Sequence, residues 1–250
     1  MTAPTASSTG TTASRLDSPV ARATRLCLRS QLLVWTVLWL TLPVIAAAIA
    51  VLTNHFGTVE LSAWSLLGAG VRWFTFAMLV FVTSGAVGPY VANGLTRRAF
   101  ARVVVADAVV TAVAFTAVWT LGQAVETAVF RAQGWPTAVT EHLYADVSQL
   151  GLVALEQLLG LLAYAASGAL VGATYYRTGA WWGTVSLVVT LLPLAVAELL
   201  LSGGLSLGSV ELTAGAVVPL RALGALVAAV LGFAALHPVL RRAPLRRPTV

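Results

Sequence analysis

Six stretches of this chain are each long and apolar enough to leave it one kind of surroundings. They run approximately over Leu32–Thr53, Val71–Ala92, Ala99–Leu121, Leu150–Thr174, Trp181–Leu201 and Ala214–Leu240, near or above the roughly 20 residues with which a helix crosses about 30 Å of hydrocarbon. Such a segment must close its own backbone hydrogen bonds, which predicts an α-helix at each. Composition agrees: 58% of residues are hydrophobic, 10% are charged, and the mean hydropathy is +0.88. The expected fold class is all-α, a polytopic integral membrane protein with six transmembrane helices.

Arginine placement sets the expected orientation. Arg15, Arg22, Arg25 and Arg29 precede the first segment; Arg97, Arg98 and Arg102 lie between the second and third. Arg177 lies between the fourth and fifth, and Arg241, Arg242, Arg246 and Arg247 follow the sixth, so 12 of 15 basic residues fall on one face. The positive-inside rule makes that face cytoplasmic, with both termini on it. Glu60, Glu126, Glu141, Asp146 and Glu211 fall in the opposite loops.

Several chemistries are excluded. All 15 basic residues are arginines and the chain has no lysine, which removes a phosphate loop of the Gly-Lys-Ser/Thr kind and any Schiff-base reaction. The single cysteine, Cys27, cannot form an internal disulfide, and His55, His142 and His237 lack ligand spacing. His-Glu-x-x-His and Gly-x-Ser-Gly are both missing, which disfavours an intramembrane protease. The chain is not expected to be an enzyme by itself, and no metal, cofactor or nucleic-acid partner is expected.

The segments divide as a disordered, Thr/Ser/Ala-rich tail over 1–17, a basic amphipathic interfacial helix over 18–30, a transmembrane domain over 31–240 and a basic tail over 241–250. Ser18-Pro19 has the form of a cap and first helical residue. Beyond it Arg22, Arg25 and Arg29 share one face, and Val20, Ala23 and Cys27 share another. Eight tryptophans, mostly near segment ends, read as interfacial anchors. Gly168 and Gly172, and Gly224, Ala228 and Gly232, form small-residue stripes where backbones can meet, within the chain or between subunits. Pro43, Pro89, Pro193 and Pro219 each remove a helix hydrogen bond and permit a kink.

Between the second and third segments, Asn93-Gly94 is a turn signal and Thr96 can cap a helix that starts at Arg97. This builds a tight elbow over Asn93–Ala101 with two arginines and an aromatic at fixed angles. Gly94, Thr96, Arg97, Arg98 and Phe100 resemble the Gly-x-Ser/Thr-Arg-Arg-x-Phe/Tyr stretch of permease subunits of ATP-binding-cassette transporters, of the type-2 exporter class. The resemblance implies a six-span permease of the plasma membrane, working as a homodimer or with a related permease. It also implies that this elbow docks in a groove of a separate ATPase subunit, with Phe100 facing that groove. A second contact is implied at Arg177 and Gly179, between the fourth and fifth segments. A non-transporting immunity, regulatory or anchoring membrane protein would share every topological feature.

Ionisable and amide groups inside the apolar segments are costly and mark functional positions by default. They are Asp107, Glu156, Gln157, Glu198 and Arg221, read first as snorkelling or helix-bridging groups. Glu198 and Arg221 fall at similar depth near the outer surface and are expected to pair.

Overall fold

The computed structural model describes residues 18–56, 62–135, 142–144, 146–202 and 214–243. The expected tail over 1–17, most of the basic tail, and Glu60, Glu141 and Glu211 lie outside these residues. Every element among them is an α-helix: α1 (Pro19–Phe56), α2 (Ala63–Ala92), α3 (Arg97–Gln133), α4 (Leu150–Thr178), α5 (Ala180–Val185), α6 (Leu187–Thr190), α7 (Leu192–Leu201) and α8 (Ala214–Arg241). Five of them, α1, α2, α3, α4 and α8, are long and apolar enough to cross a bilayer. Large apolar side chains such as Leu33, Leu40, Val51, Phe81 and Val188 stand more than half exposed, as a lipid-facing surface requires. The protein is membrane-embedded and all-α.

α1 begins where the cap predicts, with the Ser18 hydroxyl accepting from the Ala21 amide at 3.2 Å. The expected interfacial helix over 18–30 and the first span are nevertheless one continuous helix of 38 residues. The Val20, Ala23 and Cys27 stripe packs on Val103 of α3 and on Val82 and Tyr90 of α2, and Arg22, Arg25 and Arg29 are exposed. Its apolar face therefore meets the bundle instead of the membrane surface.

α4 is the centre, packed against α2, α3, α7 and α8. Its small residues allow this. A Cβ on Gly168 would collide with the Phe76 carbonyl oxygen, and one on Gly172 would sit 2.6 Å from the Val80 oxygen. The α2 and α4 backbones thus touch, and they run parallel, since Gly160 meets Arg72, Gly168 meets Phe76 and Gly172 meets Val80. The stripe on α8 is used inside the chain too. Gly224 faces Leu200 of α7, and Gly232 faces Pro193 and Ala166.

The fifth apolar segment is broken into α5, α6 and α7, with joints at Ser186 and Leu191. Pro193 in the first turn of α7 explains the second joint, because it offers no amide and crowds the preceding turn. The Leu194 amide instead donates to Ser167 Oγ of α4 at 3.0 Å, so the break is re-satisfied by a neighbouring helix. Several tryptophans belong to the core. Trp64 stacks on Trp119 at 5.1 Å, and Trp35 and Trp39 each meet Phe115 edge-on at 5.2 Å. Trp181 and Trp182 are 76% and 64% exposed, as interfacial anchors would be.

Because Gly168 abuts backbone and Gly85 faces open space, the same added methyl should act differently at the two positions. Gly168→Ala should destabilise by about 1–3 kcal/mol through overpacking, and Gly85→Ala should be neutral or slightly stabilising. Thermal unfolding of both variants in detergent measures the contrast.

Candidate functional site

Arg72 of α2 points across the bundle into three acceptors. Its Nη1 lies 3.0 Å from Glu198 Oε1 of α7, its Nη2 3.3 Å from Glu156 Oε1 of α4, and its Nε 3.3 Å from Gln157 Oε1. Gly160 makes room, since a Cβ there would sit 2.9 Å from the guanidinium Nε. Glu156 is also held from the α3–α4 connection, by the Leu143 amide at 2.8 Å and His142 Nδ1 at 2.8 Å. One guanidinium thus ties α2, α4 and α7 together, and one carboxylate ties the connection to α4. Glu156 and Gln157 are 4% and 2% exposed. Isolated charges in such surroundings cost several kcal/mol each, so the arrangement depends on every partner being in place.

A cavity of about 160 Å³ adjoins this cluster, lined by Ser65, Gly68, Arg72, His142, Tyr144 and Gln157 among others. Burial, then the nearby Glu156 charge, push the Tyr144 hydroxyl above its ordinary pKa, so it stays a neutral donor. A second clasp closes the same end. Glu126 of α3 accepts from the Trp64 amide at 2.9 Å and from the Ser62 hydroxyl, placing a carboxylate at the positive end of α2.

Of the polar residues expected inside the segments, the structure brings together Glu156, Gln157 and Glu198. The salt bridge of Glu198 runs to Arg72, whereas Arg221, the expected partner, stands half-buried on α8. Asp107 lies apart, fully buried, accepting from Gln31 Nε2 of α1 at 2.9 Å. It bridges two helices. Arg72 is the residue that sequence reasoning missed. The available signal was an arginine one position inside the second apolar stretch, with two carboxylates in other spans to be matched.

The elbow forms as the turn residues dictate. α2 ends in a Schellman motif: the Leu95 amide donates to the Tyr90 oxygen and the Gly94 amide to the Val91 oxygen, each at 3.0 Å. Gly94 has φ +88°, a conformation that side chains with a Cβ seldom adopt. Thr96 Oγ1 caps α3 by accepting from the Ala99 amide at 3.2 Å. Arg97 Nη1 donates to the Arg241 carbonyl oxygen at 3.2 Å, closing the end of α8. Phe100 is 1% exposed and packs with Leu236, Leu240 and Ala173. The expectation that it faces a partner's groove is therefore corrected: its position in α3 turns it into the chain's own core. Asn93, Gly94, Thr96 and Arg98 remain exposed.

The second corner is sharper still, with Gly179 alone, at φ +84°, between α4 and α5. Arg177 sits half-buried in the last turn of α4. The Tyr90 hydroxyl donates to the Ala23 oxygen of α1 at 3.2 Å. Together with the Arg97 contact and the parallel run of α2 and α4, this gathers the start of α1, both corners and the end of α8 at one end of the bundle. The charged cluster and the Glu126 clasp lie toward the other. Comparison with protein-family models, curated proteins and solved structures returned no match.

Removing one member of the cluster should cost more than removing its charge altogether. Arg72→Met should destabilise by about 3 kcal/mol, chiefly by taking the cation from the buried Glu156, since the Glu198 side chain is 35% exposed. Adding Glu156→Gln and Glu198→Gln to it should recover more than half of that loss. Unfolding midpoints of the single and triple variants in detergent decide the point.

Proposed function

We propose that this chain is the membrane-spanning permease subunit of an ATP-driven exporter of the ATP-binding-cassette type, coupled through the Asn93–Ala101 elbow to a separate ATPase subunit. In this reading the sixth crossing is α5 to α7, whose 22 residues, 180–201, give about 33 Å at roughly 1.5 Å per residue. The arginine-bearing end is cytoplasmic by the positive-inside rule, and the plasma membrane houses a homodimer or a pair with a related permease.

The observation that carries the reading is the way the elbow is tied in. Its exposed rim offers Asn93, Gly94, Thr96 and Arg98 to a partner, with Arg177 and Gly179 at the neighbouring corner. Behind that rim, Phe100 sits in the core shared by α2, α3, α4 and α8, and Arg97 bonds the end of α8. A push on the rim therefore moves helices. An orienting anchor needs only positive charge, for which lysine serves as well as arginine, whereas this junction uses shape. The Arg72 cluster at the far end then acts as the closure that such movement opens, a rearrangement of packed helices between two discrete arrangements.

Replacing Arg97 and Arg98 together with lysine should leave expression and orientation intact and lower ATP hydrolysis by the co-purified ATPase several-fold, because ammonium does not copy the planar fork of guanidinium. Gly94→Val should do the same through the turn. The assay is ATPase association and turnover in proteoliposomes. Undiminished association and turnover in both variants, or no ATPase retained by the wild-type chain, would leave the anchoring or regulatory reading as the better one.

A further inference from the structure

A groove of about 670 Å³ lies between α3 and α8 at the arginine-bearing end, and it shares with the elbow only Arg98 and Ala101 at its mouth. The two helices meet where Phe100 packs with Leu236 and Leu240. Beyond that contact they leave a trough walled by Val105, Ala106, Val109 and Val110 of α3 and Phe233 of α8. Its rim carries Arg98, Arg102 and His237, and no carboxylate lines it among the described residues. The nearest acid on α3, Asp107, faces α1, where it is bonded to Gln31. Arg98 and Arg102 stand four residues apart, with Cβ atoms about 5–6 Å apart on one helix face. Both guanidinium forks can close on one phosphate.

Length identifies the occupant. From Arg98 to Val110 the trough rises about 18 Å at roughly 1.5 Å per residue, little more than half of a hydrocarbon core about 30 Å thick. One leaflet is that deep. A transmembrane helix from a partner would need the full depth and would gain nothing from a cationic rim. A lipid has this profile, a charged head above a chain that ends at mid-bilayer, and basic pockets between helices recognise anionic head groups.

We propose that the groove seats one anionic glycerophospholipid of the adjoining leaflet, its phosphate on Arg98 and Arg102 and an acyl chain along Val105, Val109, Val110 and Phe233. The seat shares Arg98 with the elbow, so its test uses Arg102 and Val109, which lie outside the elbow, and reads lipid binding without any ATPase.

Thermal unfolding of the purified chain in neutral detergent is measured with phosphatidylglycerol, with phosphatidylcholine of the same chains, or with inorganic phosphate. Phosphatidylglycerol should raise the midpoint by roughly 5 °C, as a ligand near a hundredfold its dissociation constant does, and the other two should leave it in place. Arg102→Gln should remove more than half of the shift. Val109→Trp, which fills the trough without changing charge, should abolish it. Native mass spectrometry of the wild type should show one phosphatidylglycerol retained per chain. Equal stabilisation by phosphatidylcholine, a full shift in both variants, no retained lipid, or a change of oligomeric size in Val109→Trp would each overturn the proposal. The last would mark the groove as a face between copies.

Discussion

The bundle depends on the direct backbone contact between α2 and α4. Helices in a bilayer gain little from hiding apolar side chains from lipid tails that are equally apolar, so close packing and polar contacts must hold them together. Gly168 and Gly172 bring α4 against the carbonyls of Phe76 and Val80, and the same lack of bulk continues around α4, where Ala163, Ala165, Ala166, Ala169 and Ala173 are fully buried. One face receives α2, another receives α7 and α8, and a third receives α3. Larger residues along α4 would push every neighbour outward at once.

That closeness also makes the ionic cluster possible. Arg72 reaches Glu156, Gln157 and Glu198 because Gly160 lets the guanidinium pass tight against α4. The charges then solve a problem that the apolar contacts leave open. Small-residue packing fixes how near two helices lie, but a stripe of similar residues tolerates a slip along the axis. A guanidinium with three separate acceptors on two helices does not tolerate one. Polar contacts elsewhere serve in the same way: Gln31 with Asp107 sets α1 on α3, Glu126 with Ser62 and Trp64 sets α3 on α2, and Ser167 with the Leu194 amide sets α7 on α4.

Much of this was legible in the sequence, and the failures share a cause. Apolar length locates the helices, the Ser18 and Thr96 caps locate two of their starts, and the Gly168 and Gly172 stripe marks where two backbones meet, while the α8 stripe receives side chains instead. The helix of the third span runs twelve residues past the expected apolar end at Leu121, to Gln133, because Gln123, Glu126 and Thr127 lower the hydropathy while their side chains turn inward onto the bundle. The separate interfacial helix fails for the mirror reason, since the apolar stripe at Val20, Ala23 and Cys27 has protein beside it. Phe100 shows the limit of a short motif, which gives residue order but not which side of a helix is already occupied. Arg72 was hidden because a single span carries no record of the carboxylates that two other spans will bring to it.

The α2–α4 crossing has a mechanical consequence. α2 is one helix from Ala63 to Ala92 and touches α4 most closely around Phe76 to Val80, which makes that contact a fulcrum. From its middle, Met78, the Arg72 cluster lies six residues away, about 9 Å, and Asn93 lies fifteen residues away, about 22 Å at roughly 1.5 Å per residue. The two arms are unequal by more than twofold. Tilting α2 about this point trades travel at the elbow for force at the charges, so a displacement of a few ångströms at Asn93 becomes one of about an ångström at Arg72. Hydrogen bonds near 3 Å weaken steeply over such a distance, so under the proposed coupling a weak load at the elbow would act with a mechanical advantage where the bundle is most strongly tied.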